Sequence, residues 1–507
     1  MTVLLWCLPA ILIAGAIASG RLTTTAAAGL GLAVALPIAA WAGPVPLDGS
    51  AFALALARGA WVGANLAPYI LGGLLFWGVV HGSRSAPPPD GSAMEDGSEA
   101  ARALPEDERS RRRRLAFHAC FVVGPFAEAL TGFGVGMLGT LALVRGLDLR
   151  PRHAMVLALL SQTMIPWGAM GSGTLLAATF AGLTPTELAM RSLLPSAALT
   201  LVWLPLFWRT AADAGLGAGW AQRAREVAWM AVCCGALGVA TQALGPEVGM
   251  LAAYGPLIVL RGVVAGRRSG ARPADSPSAV AMRLAPHAVL ITLLVSIRLV
   301  PAWRDAALAF GRLQPWPDLP GFAPLFHGGA CMLWVALATA LLRRRPAASH
   351  GTALHEAARA AWGSGKHATL TVLLFAMLAE LLARAGISQG LAAGILAALD
   401  RGALVAMPLA AGLFGVLSNS TNPSSTLFMP PQVALAAQAA VAVPLAATLL
   451  HVTACTLCLA SPVRMSIAAN LAWGRGEERA VYARLLPFVA AALAVLGAYA
   501  TWVLWPR

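Results

Sequence analysis

Glu128 is the residue whose surroundings most strongly suggest chemistry. It stands within residues 124–131, among apolar neighbours and with no basic residue inside one helical turn. An ionisable side chain at membrane depth costs about 2.5–3.5 kcal/mol on insertion scales, so it is rare unless it faces a cavity or a partner. A carboxyl group in such a place can carry a proton. We therefore predict that Glu128 couples to protons, and the alternative is a neutral acid that only packs.

A second polar segment interrupts an apolar region further along the chain. Residues 418–426 are polar or proline, and the sequence on both sides is apolar. Pro423 predicts that no continuous helix runs through the segment. Discontinuous transporter helices present such ends near the bilayer midplane, where helix N-termini favour an anionic carboxylate. We predict substrate binding here, with an ordinary extramembrane turn as the alternative. The predicted binding residues are Ser418, Asn419, Ser420, Thr421, Asn422, Ser424 and Ser425.

Residues 161–173 form a third cluster, in which Gln162 and Thr163 precede Pro166 and several glycines. The pattern predicts a helix that breaks at the proline and continues through small residues. Small residues of this kind line cavities or let helices pack closely, and both interpretations stay open. We include Gln162 and Thr163 in the predicted substrate site.

Residues 461–466 form a fourth cluster, a break that contains Ser461 and Arg464. A guanidinium group in this position can pair with a carboxylate. Snorkelling of Arg464 to the membrane interface is the alternative. Three residues beside Glu128 complete the predicted substrate site, and these are Thr131, Gly132 and Gly134.

The composition indicates which elements must position these residues. The chain has 507 residues, of which 58% are hydrophobic and 11% charged, whereas about 25% of a soluble chain is charged. Apolar stretches long enough to cross a bilayer recur along it. We predict an all-α polytopic membrane protein, with residues 1–507 as one transmembrane domain of about 12–14 helices. The regular helices are predicted at 2–18, 22–42, 61–80, 188–208, 226–243, 248–264, 284–300, 322–342, 367–383 and 485–505.

The charge distribution predicts an orientation. The 36 Lys and Arg exceed the 22 Asp and Glu, and they cluster in short loops beside apolar helices, as cytoplasmic loops do. Nucleic acid is therefore not expected as a partner, although the net charge is +14. Residues 81–114 are predicted to form a mobile cytoplasmic loop, and both termini are predicted to lie on the far side of the membrane.

Two regions do not fit regular crossings. Residues 115–144 have arginines on both flanks, and thirty residues are too few for two crossings of about 20 residues each. A re-entrant hairpin would satisfy this length, provided that protein or a water-filled cavity covers its break. The polar segment 418–426 predicts a second discontinuous hairpin about 290 residues later.

Enzyme signatures are weak in this chain. No H-E-x-x-H or G-x-S-x-G motif is present, and the nine histidines are scattered. Cys455 and Cys458 match C-x-x-C, but they lie in an apolar run without further ligands. The sequence predicts no enzyme activity, no cofactor and no metal site.

At these same segments the chain resembles the L-lactate permease family, bacterial transporters that take up lactate and glycolate together with protons. The likeness covers most of the chain, from residues 58–61 to the C-terminal Ser-Pro segment. The most specific match is residues 128–134, which are similar to the family's E-G-A-A-G-F-G stretch. Residues 168–171 resemble its F-G-A-M-G, and residues 245–247 resemble its G-P-E.

The chain departs from the family pattern at three places. Residues 129–131 replace small residues, Pro423 is extra, and Cys458 stands where the family has a lysine before Ser-Pro. Loss of that cation leaves Arg464 as the nearest candidate partner for an anion.

The resemblance implies a secondary transporter in the bacterial inner membrane. It also implies an inverted repeat with paired hairpins, a plan that the two breaks about 290 residues apart fit. The transporter would import a small monocarboxylate, such as L-lactate, D-lactate or glycolate, in symport with H⁺. Membrane lipid would surround the protein. The alternatives are a membrane-embedded enzyme, a channel, or a transporter that couples another organic anion to Na⁺. Whether the protein forms a homodimer is a further open alternative.

Overall fold

The computed structural model describes residues 2–81, 102–132, 134–269, 277–342 and 347–504. This part of the chain is helical almost throughout and contains no strand, only an isolated antiparallel bridge between Leu313 and Phe322. The all-α prediction is confirmed.

Helices of the first half alternate between long spans and short, interrupted pieces. In chain order they are α1 (Thr2–Ala18), α2 (Thr24–Ala42), α3 (Gly49–His81), α4 (Glu106–His118), α5 (Gly124–Thr131), α6 (Val135–Val144), α7 (Pro151–Leu160), α8 (Gly168–Ala181), α9 (Pro185–Asp213) and α10 (Trp220–Leu244). A π turn, Ala119–Val123, joins α4 to α5 without a change in backbone conformation.

The second half has the same alternation. Its helices are α11 (Pro246–Ser269), α12 (Pro277–Leu299), α13 (Pro301–Ala309), α14 (Gly328–Leu342), α15 (Ala347–Arg384), α16 (Ile387–Leu399), α17 (Ala403–Ser418), α18 (Thr421–Gln438), α19 (Val443–Leu457), α20 (Pro462–Leu471) and α21 (Glu478–Leu504). Several extend beyond their predicted bounds, because polar residues at their ends continue the helix outside the apolar stretch.

Length and composition show that the protein is a multi-pass membrane protein. Eight helices in the described ranges are long and apolar enough to cross a membrane, and two bent pairs raise this number to ten. Three apolar helices of 10–17 residues, α1 among them, are shorter than a full span. The predicted 12–14 helices therefore include such shorter elements.

α5 and α6 form an antiparallel hairpin at the predicted position. Thr140 Oγ1 on α6 donates to the carbonyl of Ala119 across the hairpin, at 2.9 Å. The break between the helices needs left-handed backbone at Gly132 (φ +70°) and Gly134 (φ +82°), a conformation that glycine adopts without steric cost. The turn predicted within residues 115–144 is confirmed, whereas its re-entry from one side of the membrane stays a prediction.

α17 and α18 form the second hairpin, but its break lies earlier than Pro423 predicts. The chain turns at Asn419, which is left-handed (φ +54°), and Ser420 caps α18 by accepting from the Asn422 amide at 3.3 Å. Pro423 lies in the first turn of α18, where proline is tolerated because that amide has no helical partner. The segment 421–426 is therefore helical.

The order of elements repeats along the chain. A long helix, a hairpin, a broken helix and another long helix occur as α3, α5 with α6, α7 with α8, and α9. The same order returns as α15, α17 with α18, α19 with α20, and α21, and each half has one further helix, α4 or α16, between its long helix and its hairpin. The order of elements is thus similar in the two halves, and the inverted repeat that the resemblance implies stays a prediction.

The predicted loop 81–114 is helical in its last part. Residues 82–101 lie outside the described residues, and α4 begins at Glu106. Three acids in its first turn favour a helix start, since they interact well with the positive end of the helix dipole. Two arginines follow within one turn, and the Glu108 carboxylate accepts from both of them, which lowers the pKa of Glu108 to about 2.

Arg113 anchors α4 to the rest of the fold. Its guanidinium donates to both carboxylate oxygens of Glu226 on α10, at 2.7 and 2.8 Å, and to the carbonyl of Leu216. The two charged side chains are only 1% and 3% exposed. A buried pair of this kind fixes the position of α10 against α4, because neither partner can be left alone without a large desolvation cost.

Candidate functional site

Glu128 is buried at the end of α5, where its carboxylate faces the start of α6. Only 7% of the residue's surface is exposed. Oε2 accepts from the amide of Gly136 at 2.9 Å, and Oε1 accepts from the amide of Gly134 at 3.3 Å. The carboxylate thus caps the N-terminus of α6, whose first amides have no partner within the helix.

Gln162 connects Glu128 to the predicted cation. Its Nε2 donates to Glu128 Oε2 at 3.1 Å, and its Oε1 accepts from Arg464 Nη1 at 2.9 Å. The amide therefore joins a carboxylate from the first hairpin to the guanidinium of Arg464, which lies 302 residues after Gln162. Since Arg464 is only 9% exposed, it points inward, and the snorkelling interpretation does not apply.

The broken helix of α7 and α8 supplies Gln162 and the wall behind Glu128. The two parts meet at an angle of 61°. Between them, Ala169, Met170 and Gly171 have left-handed backbone, with φ of 47°, 53° and 65°. Such a conformation is uncommon for residues with a side chain and is found where the surrounding structure imposes it. We refer to residues 168–171 as the left-handed turn.

The left-handed turn touches the Glu128 hairpin directly. A Cβ atom built on Gly132 would lie 2.8 Å from the Cβ of Ala169, and one built on Gly168 would lie 3.7 Å from Glu128 Cγ. Gly132 therefore permits the close approach of the two breaks. Gly132 and Gly134 were predicted to bind substrate. In the structure their backbone forms the turn beside Glu128.

The polar segment 418–426 packs against α8 at Gly173. A Cβ on Gly173 would lie 2.9 Å from Thr421 Oγ1 and 3.2 Å from Asn422 Oδ1. Asn419 Oδ1 and Ser425 Oγ are buried and have no hydrogen-bond partner within the described chain. Unsatisfied buried polar atoms are rare and call for an explanation such as a ligand or water.

Two buried cysteines lie beside these polar residues. The Cys458 side chain is close to Arg464, and the Cys455 side chain, one turn earlier, is close to Thr421. Breaks of α7–α8, α17–α18 and α19–α20 therefore lie around one buried polar region, which we call the central site.

Several of the predicted substrate residues have hydroxyl groups that already bond to nearby backbone. Thr131, Thr163, Ser418 and Ser424 donate to carbonyls within four residues, and Ser461 Oγ accepts from the Val463 amide as the cap of α20. These bonds shape the breaks. Each hydroxyl oxygen retains acceptor capacity, but the contacts seen are structural.

The sequence did not single out His451, a buried residue of α19 that contacts α8. Its Nε2 is 2.9 Å from Thr174 Oγ1 on α8 and 3.9 Å from the Cys455 sulfur. His451 stands in an apolar run, and its sequence neighbours give no indication of this contact. Among the described residues, no group of three His, Cys, Asp or Glu side chains could hold a metal ion.

No protein-family model matches the chain, and no curated protein matches it either. The resemblance to lactate permeases therefore stays a prediction.

Proposed function

We propose that the protein is a secondary transporter that carries a small monocarboxylate across the membrane together with H⁺. One observation carries this proposal, namely the buried chain of contacts from Glu128 through Gln162 to Arg464. Ionisable groups inside a membrane protein are costly and mark transport pathways and proton relays in many such proteins. L-Lactate is the substrate we select for testing, because the quoted motifs resemble those of lactate permeases.

The charges of the central site fit the pairing of a proton with an anion. With Glu128 ionised, its charge is compensated by Arg464 through the Gln162 amide. A proton on Glu128 weakens its acceptance from Gln162 and from the α6 amides, since a neutral acid accepts more weakly. The Arg464 charge then has no compensating carboxylate, so a substrate carboxylate can take that place, and the net charge of the site is unchanged.

The second hairpin would complete the substrate site. Asn419 and Ser425 offer unpartnered polar atoms, and the N-terminus of α18 adds favourable potential for an anion. A 2-hydroxy acid has one carboxylate and one hydroxyl, which suits a cation flanked by such groups. Location in a bacterial inner membrane is part of this proposal.

Uptake into proteoliposomes tests the proposal. Purified protein is reconstituted, a pH gradient (acidic outside) is imposed, and accumulation of labelled L-lactate is followed with and without a protonophore. We expect accumulation that disappears when the gradient is collapsed. Uptake that only equilibrates would indicate a channel, uptake that needs a Na⁺ gradient would indicate Na⁺ coupling, and chemical conversion of lactate would indicate an enzyme.

A further inference from the structure

A cavity of about 270 Å³ lies on the opposite side of the left-handed turn from Glu128. Its walls come from α3, the second half of α8, the start of α11 and the segment 310–327. Most of the lining is apolar, with Leu66, Leu176 and Phe326 among the wall residues. This size is close to the lower end of ligand cavities in proteins, about 300 Å³, and accommodates a molecule of a few heavy atoms.

The cavity has a carboxylate at its floor. Glu247 lines it and forms an ion pair with Arg298 of α12, whose side chain is only 6% exposed. Tyr69 lines the cavity together with Glu247. His327 is neutral in this arrangement, because its Nε2 must donate to the carbonyl of Asn65 at 2.9 Å while its Nδ1 accepts from the Ala330 amide.

The left-handed turn separates this floor from the central site. The methyl group of Met170 would lie 2.7 Å from a Cβ on Gly328, and Glu247 Oε2 would lie 3.2 Å from the same atom. A Cβ on Gly171 would be 3.1 Å from Pro246, the residue before Glu247. Residues 168–171 thus touch Glu128 on one side and the cavity floor on the other.

The segment 310–327 covers the cavity and is held to α3. Arg58 donates to both oxygens of Asp318, at 3.1 and 2.5 Å, and this keeps the pKa of the Asp318 carboxyl below its usual value. Trp61 Nε1 donates to the carbonyl of Pro320 at 2.8 Å. The cover is therefore fixed by specific contacts, and it leaves the cavity as a defined space.

We propose that this cavity is a second binding site for a proton and a monocarboxylate, with Glu247 as the proton acceptor and Arg298 as the partner of the carboxylate. The pair can exist in two electrically equivalent states. Either ionised Glu247 holds Arg298, or protonated Glu247 releases Arg298 to the carboxylate of the ligand. The identity of the ligand rests on the proposed function, whereas the site itself does not.

The other groups around Glu247 favour this exchange. Tyr69 and His327 are neutral, and Arg312 at the rim adds a positive charge that attracts an anion. Cys331 lies nearby as a neutral thiol within α14. Glu247 is thus the sole carboxyl among the described cavity-lining residues, so binding that depends on proton uptake there should be stronger at lower pH.

Protection of an engineered cysteine tests the proposal. Thr179 lines the cavity and is half-buried, so Thr179→Cys should be reached by a small thiol reagent in the purified protein. We expect L-lactate to slow this labelling several-fold, and more at about pH 5 than at about pH 8. The first pH is near the usual range of carboxyl pKa values, and the second is well above it. Ser50→Cys, exposed at the start of α3, serves as the control whose labelling lactate does not change, and the parent chain gives the background from native cysteines.

Two further variants separate the roles of the pair. Glu247→Gln in the Thr179→Cys protein should be protected by lactate equally at both pH values, because Arg298 is then always available. The double change Glu247→Gln with Arg298→Gln removes both charges, leaves no uncompensated ion to destabilise the fold, and should abolish protection.

The proposal is overturned if lactate does not slow labelling of the parent Thr179→Cys protein, or if it slows labelling of the double variant equally. Failure of the proposed function is a different result. Glu128→Gln should leave the protection of Cys at position 179 intact, and protection without any uptake into proteoliposomes would support the cavity site while contradicting the transport proposal.

Discussion

Replacing Gly136 by alanine tests whether the Glu128 site is as tightly constructed as its contacts indicate. A Cβ at this position would lie 2.6 Å from the Gly124 carbonyl oxygen, 2.8 Å from Gln162 Nε2 and 2.9 Å from Glu128 Cβ. The Gly124 oxygen and Glu128 Cβ belong to a packed helix, so α6 must move away from α5. The amide bond from Gly136 to Glu128 and the contact between Gln162 and Glu128 would both lengthen.

Gly139→Ala, one turn further along α6, is the matched control. Its added Cβ would meet only the Ala127 Cβ, at 3.4 Å, an ordinary contact distance. Both substitutions gain about 1 kcal/mol of helix propensity, and this gain cancels in the comparison. Overpacking costs about 1–3 kcal/mol, so we expect Gly136→Ala to be less stable than Gly139→Ala by that amount.

The assay measures thermal unfolding in detergent and lactate uptake by both variants. We expect Gly139→Ala to behave as the parent protein, and Gly136→Ala to unfold at lower temperature and to lose proton-driven uptake. If Gly136→Ala transports as fast as Gly139→Ala, the geometry of the carboxylate does not matter, and the argument from these distances is refuted.

Three other predictions follow from the fold and the site. Glu226→Gln leaves the buried Arg113 without its counter-ion and should lower the free energy of unfolding by about 3–5 kcal/mol, which thermal unfolding measures; an unchanged midpoint would contradict the anchor role. Arg464→Gln should weaken lactate binding by about 10–150-fold, because a charge-assisted hydrogen bond contributes about 1.5–3 kcal/mol; equilibrium binding checks this, and unaltered affinity would remove Arg464 from the site. Cysteines engineered at Ser110 and Arg150 should label from one side of the membrane only, and labelling from opposite sides would show that the first hairpin crosses.

The architecture could be predicted from the sequence because hydrophobic length and glycine or polar breaks are local signals. Gly132 and Gly134 mark a turn through their own backbone freedom, and the order of helices follows from the apolar stretches. Pro423 did not mark the position of the break, since the effect of a proline depends on its place in the helix. In the first turn it is tolerated, and the actual break at Asn419 has no comparably strong signal.

The partners within the site could be predicted only in part. Glu128 stood out because a carboxylate among apolar residues needs an explanation wherever it packs. Its link to Arg464 depends on Gln162, whose role arises from a contact between distant segments. The same holds for Glu247 with Arg298 and for His451 with Thr174, because a single sequence carries no information on which helices become neighbours.

The most direct test of the account is the Glu128→Gln variant in proteoliposomes. Glutamine keeps the shape and one acceptor oxygen for the α6 amides, but it cannot titrate. We predict that accumulation of lactate driven by a pH gradient is lost, while exchange of labelled for unlabelled lactate, which needs no net proton movement, survives. A variant that is present in the membrane at normal level and still concentrates lactate under that gradient would contradict the claim that Glu128 carries the proton.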